Sequence, residues 1–158
     1  MPTRRPLPQE KRAEKILICD DESSLLRFLK QHFAGQGYRV DTAKSGHEFQ
    51  RRAHRSRPDL IILDIVLPDG LGTDYYEKLL RSGFDSSVPV IFLSALAQGL
   101  PPRHGTQEGR FALFGKPFDL AKLRSEMRRL LSSVPPAARG RRVRKGRKRL
   151  VSSGLQRA

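Results

Sequence analysis

Four places along the chain carry side chains that could do chemistry together. Asp20, Asp21 and Glu22 form one acidic run, Asp64 closes an apolar run, Ser94 follows 30 residues later and Lys116 another 22. Carboxylates gathered at one point repel one another, and a divalent cation is the usual way to keep them ionised together. Hard oxygen ligands with room for several waters favour Mg²⁺. A carboxylate held by a metal on one side and an ammonium on the other can accept a phosphoryl group, because both cations neutralise charge on the transferring oxygens. Asp64 as acceptor, Asp20 and Asp21 as acidic partners, Lys116 as ammonium and Ser94 as hydroxyl would then make an aspartyl-phosphate site, if the fold brings them together.

The elements between these residues say that it does. KILIC (Lys15 to Cys19) reads as a buried strand, and Leu25, Leu29 and Phe33 then recur every four residues until Gly35 and Gly37 stop a helix. YRVDT alternates as a short strand, and GHEFQRRAHRSRP is a very basic helix ended by Pro58. DLIILDIV is the clearest buried strand, followed by the turn LPDGLG, the helix TDYYEKLLR and a fourth strand in VPVIFLSA. FALFGK reads as a fifth, and Asp119 as the N-cap of a last helix with Leu120, Leu123, Met127, Leu130 and Leu131 on one side. Five strands alternating with helices predict an α/β fold with a doubly wound parallel sheet covered on both faces. In such sheets reactive groups gather at the carboxyl ends of the strands, which is where Asp20, Asp64, Ser94 and Lys116 fall.

CDDE at the first strand end, LDIVLPDGLG around Asp64, FLSA around Ser94 and GKPF around Lys116 together resemble the receiver domain of two-component response regulators, over about residues 15 to 131. The resemblance implies a flavodoxin-like five-stranded sheet of strand order 2-1-3-4-5. It also implies that Asp64 takes the phosphoryl group from a histidine kinase or phosphotransfer protein. Asp21 and Asp64 would ligate Mg²⁺, Asp20 would hold it partly through water, and the Val66 carbonyl would complete the protein ligands. Lys116 would pair with a phosphoryl oxygen, Ser94 would turn toward the bound group as the first movement of a switch, and the Lys116–Pro117 bond would be cis. Glu22 reads as a helix N-terminal acid instead of a ligand. Kinase pairing in this family points to the first helix, with Leu25, Leu26, Leu29 and their neighbours marking the docking face.

Two departures from the family stand out. The switch aromatic three residues before the lysine is replaced by Leu113; Phe111 shares that residue's strand face, whereas Phe114 points to the other. The segment after Ser94 holds Gly99, Pro101, Pro102 and Gly105, which predicts a short or irregular fourth helix and an altered output face within residues 96 to 115. The resemblance puts Val66 and Leu96, two residues beyond Asp64 and Ser94, at positions that flank the phosphoryl group; both are apolar and offer no hydrogen bond to an attacking water, which predicts slower self-dephosphorylation than in relatives with polar groups there.

Charge divides the chain further. It has 158 residues, 31 basic against 16 acidic, and a formal charge of +15. Residues 1–14 read as a flexible basic arm, 15–131 as the receiver, and 132–158 as a disordered basic tail too poor in apolar residues to fold alone. Arg139, Arg141, Arg142, Arg144, Lys145, Arg147, Lys148 and Arg149 crowd that tail and could bind nucleic acid in a salt-dependent manner. A lone Cys19 reads as core and excludes an intramolecular disulfide, and no run approaches the roughly 18 to 20 apolar residues of a membrane span. With no apolar stretch behind the N-terminal charges, the expectation is a cytoplasmic regulator without an appended output domain. His32, His47, His54 and His104 show no metal spacing and read as ordinary helix or surface residues. Nucleotide hydrolysis is disfavoured by the absence of a GxxxxGK loop, and a haloacid-dehalogenase-type hydrolase by Val66 in place of a second aspartate. The alternatives to a phosphoryl-accepting module that docks proteins are a phosphorylation-gated nucleic-acid binder acting through the tail, and a non-phosphorylated receiver-like scaffold. Oligomeric state is not set by the sequence.

Overall fold

The computed structural model describes residues 12–95 and 110–134. Five main strands, β1 (Lys15–Cys19), β2 (Arg39–Ala43), β3 (Leu60–Asp64), β6 (Val90–Ser94) and β7 (Phe111–Gly115), pair in parallel in the order β2-β1-β3-β6-β7. Two short strands, β4 (Val66–Leu67) and β5 (Gly70–Leu71), pair antiparallel in a separate ladder. The order of the main strands is the one expected, and the helices are α1 (Ser23–Ala34), α2 (Gly46–Ser56), α3 (Gly72–Arg81) and α4 (Leu120–Ser133). The short or irregular fourth helix, Leu96 and His104 fall outside the described residues, as do the N-terminal arm up to residue 11 and the basic tail from 135 on.

Alternation along each strand decides the two faces. Leu17, Cys19, Ile61, Leu63, Val90 and Phe92 turn toward α2 and α3, where they meet Phe49, Ala53, Tyr76 and Leu79. Ile16, Ile18, Leu60, Ile62, Ile91 and Leu93 turn the other way onto Leu26, Leu29 and Phe33 of α1 and Leu123, Met127 and Leu130 of α4. β3 lies at the centre and all five of its residues are buried, which explains its unbroken apolar run. Phe111 packs on the first cluster and Phe114 on the second, as the strand period requires.

Local signals set the helix ends. Ser45 accepts the Glu48 amide while the Glu48 carboxylate takes the Lys44 amide, close to a capping box, and Arg57 adopts a left-handed conformation (φ 49) just before Pro58 ends α2. Asp119 caps α4 by accepting from the amides of Ala121 and Lys122.

Two expectations need correction. LPDGLG is more than a turn, since its ends form the β4–β5 ladder that pairs Val66 with Leu71. Leu26 and Leu29 cannot mark a docking face: they are 4% and 0% exposed, because α1 needs them to cover the sheet, and Leu25 is itself half-buried. The exposed apolar residue of α1 is Phe28, at 52%, stacked on His32.

Phe92 is fully buried and meets Tyr76 edge-on at 5.6 Å between ring centroids. Truncation of such a side chain costs about 3 to 5 kcal/mol. Phe92→Ala should lower the urea midpoint accordingly with little change in the slope of the transition; a loss under about 1 kcal/mol would show that this sheet face is not the packed core described.

Candidate functional site

The strand order places the chemistry. From β1 the chain goes outward to β2, and from β3 it goes outward in the opposite sense to β6 and β7, so a crevice opens at the carboxyl ends of β1 and β3. Asp20 follows β1 and Asp64 ends β3, facing each other across this crevice, while Ser94 ends β6 and Lys116 follows β7. Asp20, Asp64 and Ser94 are buried, unlike most residues of their types.

Lys116 unites them. Its Nζ donates to Asp20 Oδ2 at 2.5 Å and to Asp64 Oδ2 at 2.7 Å, and its backbone amide donates to the Ser94 carbonyl at 2.6 Å. The second oxygens are held by backbone: Asp20 Oδ1 accepts the Glu22 amide at 2.9 Å, and Asp64 Oδ1 the Val66 amide at 3.0 Å. Burial pushes the Asp20 carboxyl above its ordinary range, against the lowering effect of the Lys116 hydrogen bond, and the nearby Asp64 charge adds to the rise. Burial pulls Lys116 down, but its bonds to Asp20 and Asp64 outweigh that and leave its pKa raised. The ammonium therefore stays charged between two carboxylates.

Asp21 is exposed at the rim, and one oxygen each from Asp20, Asp21 and Asp64 lie within 4.8 Å of one another. Three hard carboxylate oxygens at that separation, one of them open to water, fit a divalent cation that keeps part of its hydration shell. Val66, whose carbonyl is the fourth ligand the family resemblance implies, stands in β4 with its side chain 50% exposed. Leu113 lies on β7 at 42% exposure and is not drawn into this cluster. The Lys116–Pro117 bond is cis, as expected. Glu22 occupies the N-cap position of α1 but makes no side-chain cap bond, and takes the Ser24 hydroxyl instead. Cys19 is fully buried, and burial raises its thiol far out of the reactive range.

The loop that carries Val66 is clamped by residues the sequence reading passed over. Asp69, at the tip of the β4–β5 hairpin, accepts the amides of Gly46 (2.8 Å) and His47 (3.1 Å) at the start of α2 and lies 2.7 Å from His47 Nδ1. The Tyr75 hydroxyl donates to the Asp69 carbonyl at 3.1 Å, and its ring fills the space beside Gly46, where a Cβ would collide with it. A Cβ at Gly72 would run into the Asp64 carbonyl, so that glycine lets α3 start directly against the site strand. His47 is thus more than an ordinary helix histidine. Its spacing to Asp69 gave no clue, because the contact exists only once the hairpin folds back on α2.

The sequence pattern of the response regulator receiver domain matches residues 16–128. The chain is 34% identical over 125 residues to the probable transcriptional regulator ycf27 of Guillardia theta, covering 79% of this chain and 48% of that protein. To the KDP operon transcriptional regulatory protein KdpE of Escherichia coli (strain K12) it is 35% identical, over 72% of this chain and 49% of that one. The chain spans about half the length of the curated relatives it matches. Among solved structures, the non-phosphorylated HemR receiver domain from Leptospira biflexa superposes with a TM-score of 0.68 at 30% identity, covering 78% of this chain and 98% of that one. A CheY-like receiver domain protein from Methanospirillum hungatei JF-1 gives 0.67 at 26% identity, covering 76% and 94%.

Burial opposes ionisation of Asp69, but the two amides, His47 and Tyr75 prevail and hold its carboxyl well below the ordinary range. A carboxyl lowered by folding stabilises fully above its unfolded pKa of about 3.9 and loses that contribution as pH falls through its folded value. Asp69→Ala should therefore cost about 1 to 3 kcal/mol at neutral pH in urea unfolding, and the gap to wild type should narrow only in strong acid. A gap that closes already near pH 6 would show that folding does not hold the Asp69 carboxyl below its ordinary range.

Proposed function

The chain belongs to the response regulator receiver family, and on that premise we propose that residues 15–131 accept a phosphoryl group on Asp64 from the phosphohistidine of a histidine kinase or phosphotransfer protein, and signal by docking protein partners. The observation that carries this reading is the Lys116 ammonium set between Asp20 and Asp64, with Asp21 close enough to share a cation.

Asp20, Asp21, Asp64 and the Val66 carbonyl would hold the Mg²⁺, which when bound would neutralise charge on the transferring oxygens. An Asp64 oxygen forms the new P–O bond as the P–N bond to the donor imidazole breaks, and the imidazole leaves with its electron pair and takes a proton. Lys116 already donates to Asp64 Oδ2, so a small shift of its Nζ lets it follow charge onto a phosphoryl oxygen. The Ser94 hydroxyl, at the end of β6, would then turn toward the bound group. Leu113 in the switch position lacks an aromatic ring to follow it, so transmission through residues 96–115 would differ from that of relatives with one there. The receiver family is not an enzyme family in itself, and the only catalysis proposed is of this protein's own phosphorylation and dephosphorylation.

The exposed Phe28 side chain on α1 is the apolar contact offered to a kinase. No helix of the described residues is long and apolar enough to cross a membrane, and a cytoplasmic setting fits a kinase partner. A second reading, in which phosphorylation gates nucleic-acid binding by the tail, is favoured by the eight cations between Arg139 and Arg149 and by the names of relatives such as the transcriptional regulator KdpE.

Intact mass after incubation with Mg²⁺ and acetyl phosphate tests the proposal: one added phosphoryl group is expected in wild type and none in Asp64→Ala. An adduct retained by Asp64→Ala would place the acceptor elsewhere, and no adduct in either, with a purified kinase also failing, would favour the non-phosphorylated scaffold. With Val66 half-exposed and apolar beside Asp64, the adduct should decay over many minutes or longer. Decay within seconds would mean that some other group positions the attacking water.

A further inference from the structure

At the β2 edge of the sheet, β2 and α2 line a cleft of about 690 Å³ that gathers Lys15, Arg39, Arg51, Arg52 and Arg55. Only two carboxylates, Asp41 and Glu48, join them. The fold uses some of these cations: Arg52 pairs with Glu48 at 2.8 Å, and Lys15 Nζ donates to the Ser56 carbonyl at 3.1 Å. Arg39, Arg51 and Arg55 are exposed and make no ion pair among the described residues. Arg51 and Arg55 stand four residues apart on α2, a spacing at which like charges destabilise a helix. Stability alone does not account for three unpaired guanidinium groups facing one cleft.

We propose that this cleft binds the phosphate backbone of nucleic acid. The lining carries no apolar side chain, only charged residues and Ser56. Protein docking surfaces centre on aromatic or aliphatic anchors that this cleft lacks. Interfaces with nucleic acid are polar and strongly positive, and the guanidinium fork matches phosphate oxygens in pairs. β2 is also an edge strand, so its outward amides are further donors. The +15 charge of the whole chain adds long-range attraction for the same class of ligand. The cleft includes the first residues of β1 and β2, whereas Asp20 and Asp64 lie at the carboxyl ends of the strands. Lys15 and Arg39, level with each other in the sheet, stand roughly 16 Å of strand from those ends, at about 3.3 Å per residue. The proposal therefore uses none of the acidic-cluster residues and does not rest on the phosphorylation reading.

The test is fluorescence anisotropy of a labelled duplex with the full chain across a salt series. The Arg39→Gln, Arg51→Gln, Arg55→Gln triple variant is compared with Lys78→Gln, Lys122→Gln, Arg128→Gln, which removes the same charge from exposed positions of α3 and α4. Each lost phosphate contact lowers the salt slope by about 0.9. The cleft variant should bind about tenfold more weakly at moderate salt, with a slope lower by about 2 to 3, while the control stays close to wild type. Equal losses in the two triples would mean diffuse attraction and overturn the proposal, as would no loss in the cleft triple. Polyglutamate binding that depends on the three arginines while duplex binding does not would overturn it in favour of an acidic protein. Unchanged thermal melting and acetyl phosphate labelling at the wild-type level check the fold of each variant. Absence of labelling in wild type itself would count against the phosphorylation reading and leave the cleft result standing.

Discussion

Two carboxylates share one ammonium at the carboxyl edge of this sheet, and much of the surrounding architecture serves that arrangement. Asp20 is fully buried and Asp64 nearly so, and both reach Lys116 Nζ. Two buried negative charges on a single positive one leave the cluster short of a cation, which is why burial and the Asp64 charge both raise the Asp20 carboxyl. Such a cluster is costly to a resting fold, and a cation held with Asp21 would relieve it.

Geometry keeps the cluster together. The adjacency of β1 and β3 at the point where the strand order turns back puts the aspartates opposite each other, and the Lys116 amide is tied to the end of β6 through the Ser94 carbonyl. On the open side, the hairpin bearing Val66 is fixed at its tip by Asp69 on the first amides of α2, where an anion is favoured. α2 thus supports the site with its amino end, while its carboxyl-terminal half contributes the arginines of the cleft along β2.

The main strands and the four helices now described were legible because β1, β3 and β6 are short apolar runs buried on both faces or nearly so, β2 and β7 are short runs bounded by turn residues, and each helix carries a stripe of apolar residues. The acidic site was legible for a related reason: in a parallel α/β sheet, strand ends are also sequence landmarks. What escaped notice is either too short to show a pattern or made by residues far apart in sequence. The β4–β5 ladder spans too few residues to show a period, and the Asp69–His47 contact joins elements 22 residues apart. The docking face was misread on α1 because Leu26 and Leu29 carry the same side chain whether a helix turns them to a partner or to its own sheet; only the packing against Ile16, Ile18 and Ile62 decides.

The account rests on the claim that Asp20 and Asp64 form a cluster short of one cation, and unfolding of wild type and Asp20→Asn in urea at neutral pH, with and without Mg²⁺, tests it most directly. A carboxyl raised by folding stabilises below its unfolded pKa and costs stability as pH climbs through its folded value, so neutralising Asp20 should raise the midpoint in metal-free buffer. Mg²⁺ bound to the native state alone should raise the wild-type midpoint and leave Asp20→Asn nearly unmoved. A lower midpoint for Asp20→Asn without metal, together with a wild type indifferent to Mg²⁺, would contradict the claim.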